Sequence, residues 1–73
     1  MSTKQVAANQ VRRTRRMMDL TQAQLAKEID VSRQTVVSIE GGDYAPSVYL
    51  ALKLADVLET TVEALFGQPE EKK

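Results

Sequence analysis

The most restrictive feature of this chain is a two-residue joint. Thr21 followed by Gln24 is a capping-box pattern, in which each residue satisfies a backbone donor left free at a helix start. The helix it opens buries Leu25, Ala26 and Ile29, with Leu20 packing just ahead of the cap, and ends near Asp30. Ser32 then caps a second helix running to about Glu40, with Val36 and Ile39 inward. Only Asp30 and Val31 separate the two. So short a link between helices of about eight residues forces a sharp crossing and excludes an antiparallel hairpin.

The remaining punctuation marks three more helices. The first is expected from near Thr3–Val6 to Met18, with Ala7, Val11, Thr14 and Met18 on one face and Arg12, Arg13 and Arg16 on the other. Gly41-Gly42 closes the third helix, and Ser47 after Pro46 caps a fourth that reaches about Leu58. That fourth helix is apolar nearly all round: Val48, Tyr49, Leu50, Ala51, Leu52, Leu54, Ala55, Val57 and Leu58. Thr61 caps a last turn, Val62 to Phe66. β signals are nearly absent. The expected architecture is all-α, five short helices in one domain spanning 1–73, with its helical core at 9–66 and a polar tail at 67–73.

A chain of 73 residues covers such a helix poorly. With no Cys for a disulfide and no Cys or His to hold zinc, dimerisation is the remaining source of buried area. Tyr49, Val57, Val62, Leu65 and Phe66 are the candidates for a homodimer contact. The same absences remove the commonest general base, the thiol nucleophile and most metal sites, so neither catalytic residues nor a metal, cofactor or small-molecule ligand is expected. No apolar run spans a membrane and the first residues lack a signal-peptide core, which reads as a cytoplasmic chain.

Net charge is zero but unevenly spread. Residues 1–40 carry seven bases against four acids, and residues 41–73 carry three against six. One end therefore favours an anionic partner. Arg33, Gln34, Val37 and Ser38 are left on the outward face of the third helix. By residue type alone they form either an ordinary polar helix face or a set of base readers. Arg suits guanine, Gln adenine, Ser either, and Val a thymine methyl.

The segment LTQAQLAKEIDVSRQTVVSIEGGDYAPS resembles the helix-turn-helix of the XRE/Cro family of prokaryotic and phage repressors, and LALKLADVLETTVEALF resembles the rest of that lambda-repressor-like domain. The likeness covers about residues 9–66 and is strongest to compact dimeric regulators whose recognition helix begins SRQT. It implies base readout by Arg33, Gln34, Ser38 and Val37. Gln22 matches a position that grips the DNA backbone and braces the recognition helix. Ser32, Thr35 and the loop around Gly42–Tyr44 are further backbone candidates. Arg12 and Arg13, with Arg16 beside them, approach phosphate or simply face solvent. Arg15 matches a family arginine that pairs with the glutamate closing the recognition helix, here Glu40.

The departures from the family also carry expectations. Asp19, Asp30 and Glu59 stand where the family places left-handed glycine, at a backbone cost. Thr14 replaces a core Leu, and Gly41 and Asp43 replace basic or amide residues, which loosens the expected grip on the backbone. The implied function is sequence-specific binding of a double-stranded DNA operator by a dimeric repressor, its two recognition helices roughly 34 Å apart on an inverted repeat. An antitoxin or adaptor that docks a protein partner, and a purely structural helical dimer, are the alternatives on the same fold.

Overall fold

Four hydroxyl side chains start four of the five helices. The computed structural model describes residues 9–67, in which α1 is Val11–Met17, α2 Gln22–Glu28, α3 Arg33–Glu40, α4 Val48–Val57 and α5 Val62–Phe66. There is no strand among the described residues. The hydroxyls of Thr21, Ser32, Ser47 and Thr61 accept from the backbone N–H three residues on, at 3.0, 3.1, 3.1 and 3.0 Å. At α2 the box is complete, since the Thr21 N–H donates to Gln24 Oε1 at 2.8 Å.

α1 begins differently from the sequence-based expectation. A start near Thr3–Val6, and with it the Ala7 position of the stripe, lies outside the described residues, but Asn9 and Gln10 are not helical. Asn9 Oδ1 accepts from the Val11 N–H at 3.1 Å, while its Nδ2 donates to the Ile39 carbonyl at 2.8 Å. The Gln10 N–H donates to the Leu65 carbonyl at 2.9 Å. These bonds tie the start of α1 to the ends of α3 and α5 and set the helix boundary at Val11.

Four helices end alike. Asp19, Asp30, Gly42 and Glu59 take φ of 59°, 62°, 80° and 57°. Each follows the helix cap and allows the next N–H to reach back five residues: Leu20 to Arg15 (3.2 Å), Val31 to Ala26 (2.9 Å), Asp43 to Ser38 (2.9 Å) and Thr60 to Ala55 (2.9 Å). This is the Schellman geometry, which satisfies carbonyls that the helix leaves unpaired. Glycine fills only one of the four positions; the three departures expected from the sequence all sit in left-handed conformation.

α2 and α3 pack against each other more extensively than any other pair of helices. Ala26 is buried at their crossing with Leu25, Ile29, Val36 and Ile39, and Val11, Leu54, Ala55, Leu58 and Leu65 complete the core. Leu65 requires a correction. It is only 1% exposed, so its side chain belongs to the core and is not available as a dimer contact. Val57, Val62 and Phe66 are half-buried against that core. The largest uncovered apolar side chains of α4 are Tyr49, Val48 and Leu52, at 84, 75 and 54% exposure. Of these only Tyr49 was expected at a contact. α4 turns Leu54, Ala55 and Leu58 into the core and leaves Val48 and Leu52 outward, with Val57 half-buried at the edge of the core.

Candidate nucleic-acid interface

α3 divides its outward residues between two neighbouring features. Gln34 and Ser38 share a notch with Ser32, Thr35, Asp43 and Tyr44. Two expected base readers therefore stand beside three expected backbone residues, in a depression rich in hydroxyl and amide groups. Gln34 is exposed, Ser38 and Thr35 are half-buried, and Tyr44 is exposed at the rim. The Ser32 hydroxyl lies 2.9 Å from the Thr35 hydroxyl and caps the helix at the same time. Val37 is half-buried and lies outside the notch lining. Asp43 places one negative charge among these groups.

The second feature is a hydrogen-bonded chain that starts in the interior. Arg15 donates Nε to Glu40 Oε2 at 2.6 Å and Nη2 to Glu40 Oε1 at 3.3 Å, with Nη1 on the Leu20 carbonyl at 2.7 Å. The two side chains are only 10 and 4% exposed, so their charges are compensated almost entirely by each other and by these bonds. Gln22 Nε2 donates to Glu40 Oε1 at 3.1 Å, and Gln22 Oε1 accepts from Arg33 Nη2 at 3.1 Å. The first residues of α2 and α3 are thus linked through the last residue of α3 to α1.

Arg12, Arg13 and Arg16 are exposed and line a shallow basin with Asn9, Met17 and Glu40. The basin adjoins the buried ion pair through Glu40, which puts three exposed cations beside that carboxylate's edge of the surface. On another side of the molecule, Val48 and Leu52 join Ala45, Pro46, Ala51, Val62 and Phe66 around an apolar groove.

A helix-turn-helix family profile matches residues 11–65. The chain belongs to the XRE/Cro-type helix-turn-helix family. An HTH-type transcriptional regulator of Methanocaldococcus jannaschii is 43% identical over 58 residues, 80% of this chain and 88% of the relative. YgzD of Bacillus subtilis, also named an HTH-type transcriptional regulator, is 40% identical, covering 86% of this chain and 96% of its own length. The transcriptional repressor RstR of the Vibrio cholerae cryptic phage CTXphi is 35% identical over 93% of this chain but only 57% of RstR. Among solved structures, the restriction-modification controller protein C.AhdI from Aeromonas hydrophila superposes with a TM-score of 0.72 at 32% identity, covering 78% of this chain and 86% of that one. This helix-turn-helix protein is a DNA-binding transcriptional regulator of lambda-repressor-like fold, and not an enzyme. No helix among its described residues is long and apolar enough to cross a membrane.

Two parts of this regulator's surface were not anticipated from its sequence. Asn9 joins α1 to α3 through both ends of its amide. An amide just before the first inward apolar residue is a helix-start signal, and it was hidden by a longer apparent stripe running back to Ala7. Val48 and Leu52 carry no sequence signal of their own, because in an all-apolar helix only packing decides which side remains uncovered.

Proposed function

We propose that this chain is a repressor that recognises an inverted-repeat operator in double-stranded DNA as a homodimer, with α3 in the major groove of each half-site. The observation that carries this reading is the juxtaposition on one face of α3. Gln34 and Ser38 open into a notch edged by the hydroxyls of Ser32, Thr35 and Tyr44, while Arg33 is held on the same first turn by Gln22. Gln and Arg can each bond a base edge through two atoms, and Ser can donate or accept. Val37, half-buried beside them, suits a thymine methyl. Ser32, Thr35, Tyr44, the Gly42 turn and the free N–H of the Gln22 amide fit phosphate oxygens, with Arg12 and Arg13 adding charge at the margin.

The second copy is argued from uncovered apolar area. Val48 and Leu52 line a groove with Val62 and Phe66, Tyr49 of the same helix is 84% exposed, and a domain this small gains stability by burying such apolar area. An operator of two half-sites requires a dimer whose recognition helices lie roughly one DNA turn, about 34 Å, apart. Repression by occupancy agrees with the name of the relative RstR and needs no ligand site. The protein would act in the cytoplasm, on nucleoid DNA.

Anisotropy titration of a labelled mixed-sequence duplex at low salt tests this face. Wild type should bind, with log affinity falling linearly against log salt. Arg33→Ala with Arg12→Ala and Arg13→Ala should flatten that slope. Sedimentation of the complex should give two protomers per minimal duplex. Absence of binding at low salt, or indifference to these substitutions, contradicts the proposal.

A further inference from the structure

We infer that Glu40 is a positioning residue for base discrimination: it fixes the sense of the Gln22 amide and through it the aim of Arg33. The inference rests on the reading of Arg33 as a base-contacting residue given above. Glu40 closes α3 at the end opposite Arg33, and its side chain is almost wholly enclosed, so it has no direct route to a base.

A carboxylate can only accept hydrogen bonds. Arg15 holds the Glu40 carboxylate through two donors, and Glu40 Oε1 keeps room for a third, from Gln22 Nε2 at 3.1 Å. The two ends of a glutamine amide have nearly the same shape, so packing alone does not choose between them. Here the chemistry at both ends does. Reversed, the amide would set oxygen against the Glu40 carboxylate and an NH2 group against the Arg33 guanidinium, an acceptor facing an acceptor and a donor facing a donor. Only one sense lets Gln22 Oε1 accept from Arg33 Nη2, at 3.1 Å.

That contact takes one corner of the Arg33 fork and leaves its other donors outward. An exposed arginine otherwise samples many rotamers, and each wrong one weakens a two-point contact with guanine more than a one-point contact with phosphate. Holding one corner therefore sharpens discrimination more than it raises overall affinity. The second N–H of Gln22 remains free for a phosphate oxygen, so one side chain serves both register and aim.

The test uses the full chain and duplexes from a randomised pool, resynthesised with each of the four base pairs at the position whose preference Arg33→Ala abolishes. Glu40→Gln lets the Gln22 amide meet either end of another amide. Gln22→Met removes the link while leaving the Arg15–Glu40 pair in place. Both are expected to reduce the preference at that base pair by about tenfold, and to leave the preferences at other positions unchanged. If Glu40→Gln unfolds the domain, Gln22→Met alone decides. Equal weakening on all four duplexes, with the preference intact, overturns the inference and leaves Gln22 as a phosphate contact only. An Arg33→Ala variant that changes no base preference overturns the reading of Arg33 itself, and the positioning role with it.

Discussion

Arg15 in α1 and Glu40 at the end of α3 face each other across 2.6 Å, with side chains only 10 and 4% exposed. Breaking one partner of such a pair leaves a charge buried without compensation. Arg15→Met is expected to cost about 3 kcal/mol or more, enough to lower the melting temperature by roughly 15 °C in a domain this small. Arg15→Met with Glu40→Leu should recover much of that loss, because both charges are then gone. Thermal unfolding followed by circular dichroism checks both values. A single variant as stable as wild type would show that the pair is not a strut.

The left-handed residues give a prediction of opposite sign. Asp19→Gly, Asp30→Gly and Glu59→Gly each relieve strain at a position with φ near 60°. Each is expected to stabilise by about 0.5–1 kcal/mol, Glu59→Gly most because a long side chain is least at ease there. The three sites terminate different helices, so their effects should add. Gly42→Ala, at φ 80°, should destabilise by about 1 kcal/mol. Urea midpoints at constant slope measure all four.

Leu65 and Leu52 separate core from contact surface. Leu65→Ala should cost about 2–5 kcal/mol because it empties a fully enclosed site. Leu52→Lys with Tyr49→Lys should leave the fold intact and shift sedimentation toward the monomer, since both side chains are more than half exposed. Unchanged self-association in that double variant would move the dimer contact elsewhere.

Asp43 stands in the notch with Gln34 and Ser38 and repels phosphate. Asp43→Asn is expected to tighten duplex binding by roughly threefold at low salt, with the gain fading as salt screens it. Binding titrations at two salt concentrations check this. Equal affinity at low salt would place Asp43 away from the DNA.

The residues that made the fold legible are those whose chemistry acts locally. Thr21, Ser32, Ser47 and Thr61 cap the helices expected of them, because a hydroxyl satisfies an N–H only three residues away. The resemblance located Asp19, Asp30 and Glu59 in left-handed turns and Arg15 opposite Glu40. What escaped depends on tertiary placement. Asn9 acts through the Ile39 carbonyl, thirty residues away, and nothing local announces that bond. Leu65 and Leu52 have the same side chain and opposite surroundings, which only the packing of α5 and α4 distinguishes. The resemblance gave Gln22 as a brace for the recognition helix, but its partners, Glu40 and Arg33, emerge only where three helix ends meet.

The central claim, that α3 reads sequence in the major groove of duplex DNA, is tested most directly by selecting binders from a randomised duplex pool. Affinity of the winners is then followed against salt. The account predicts a short inverted repeat, a steep loss of log affinity with log salt, and loss of preference at distinct base pairs in Arg33→Ala and Gln34→Ala. A pool from which no sequence emerges, with no binding even at low salt, would contradict it.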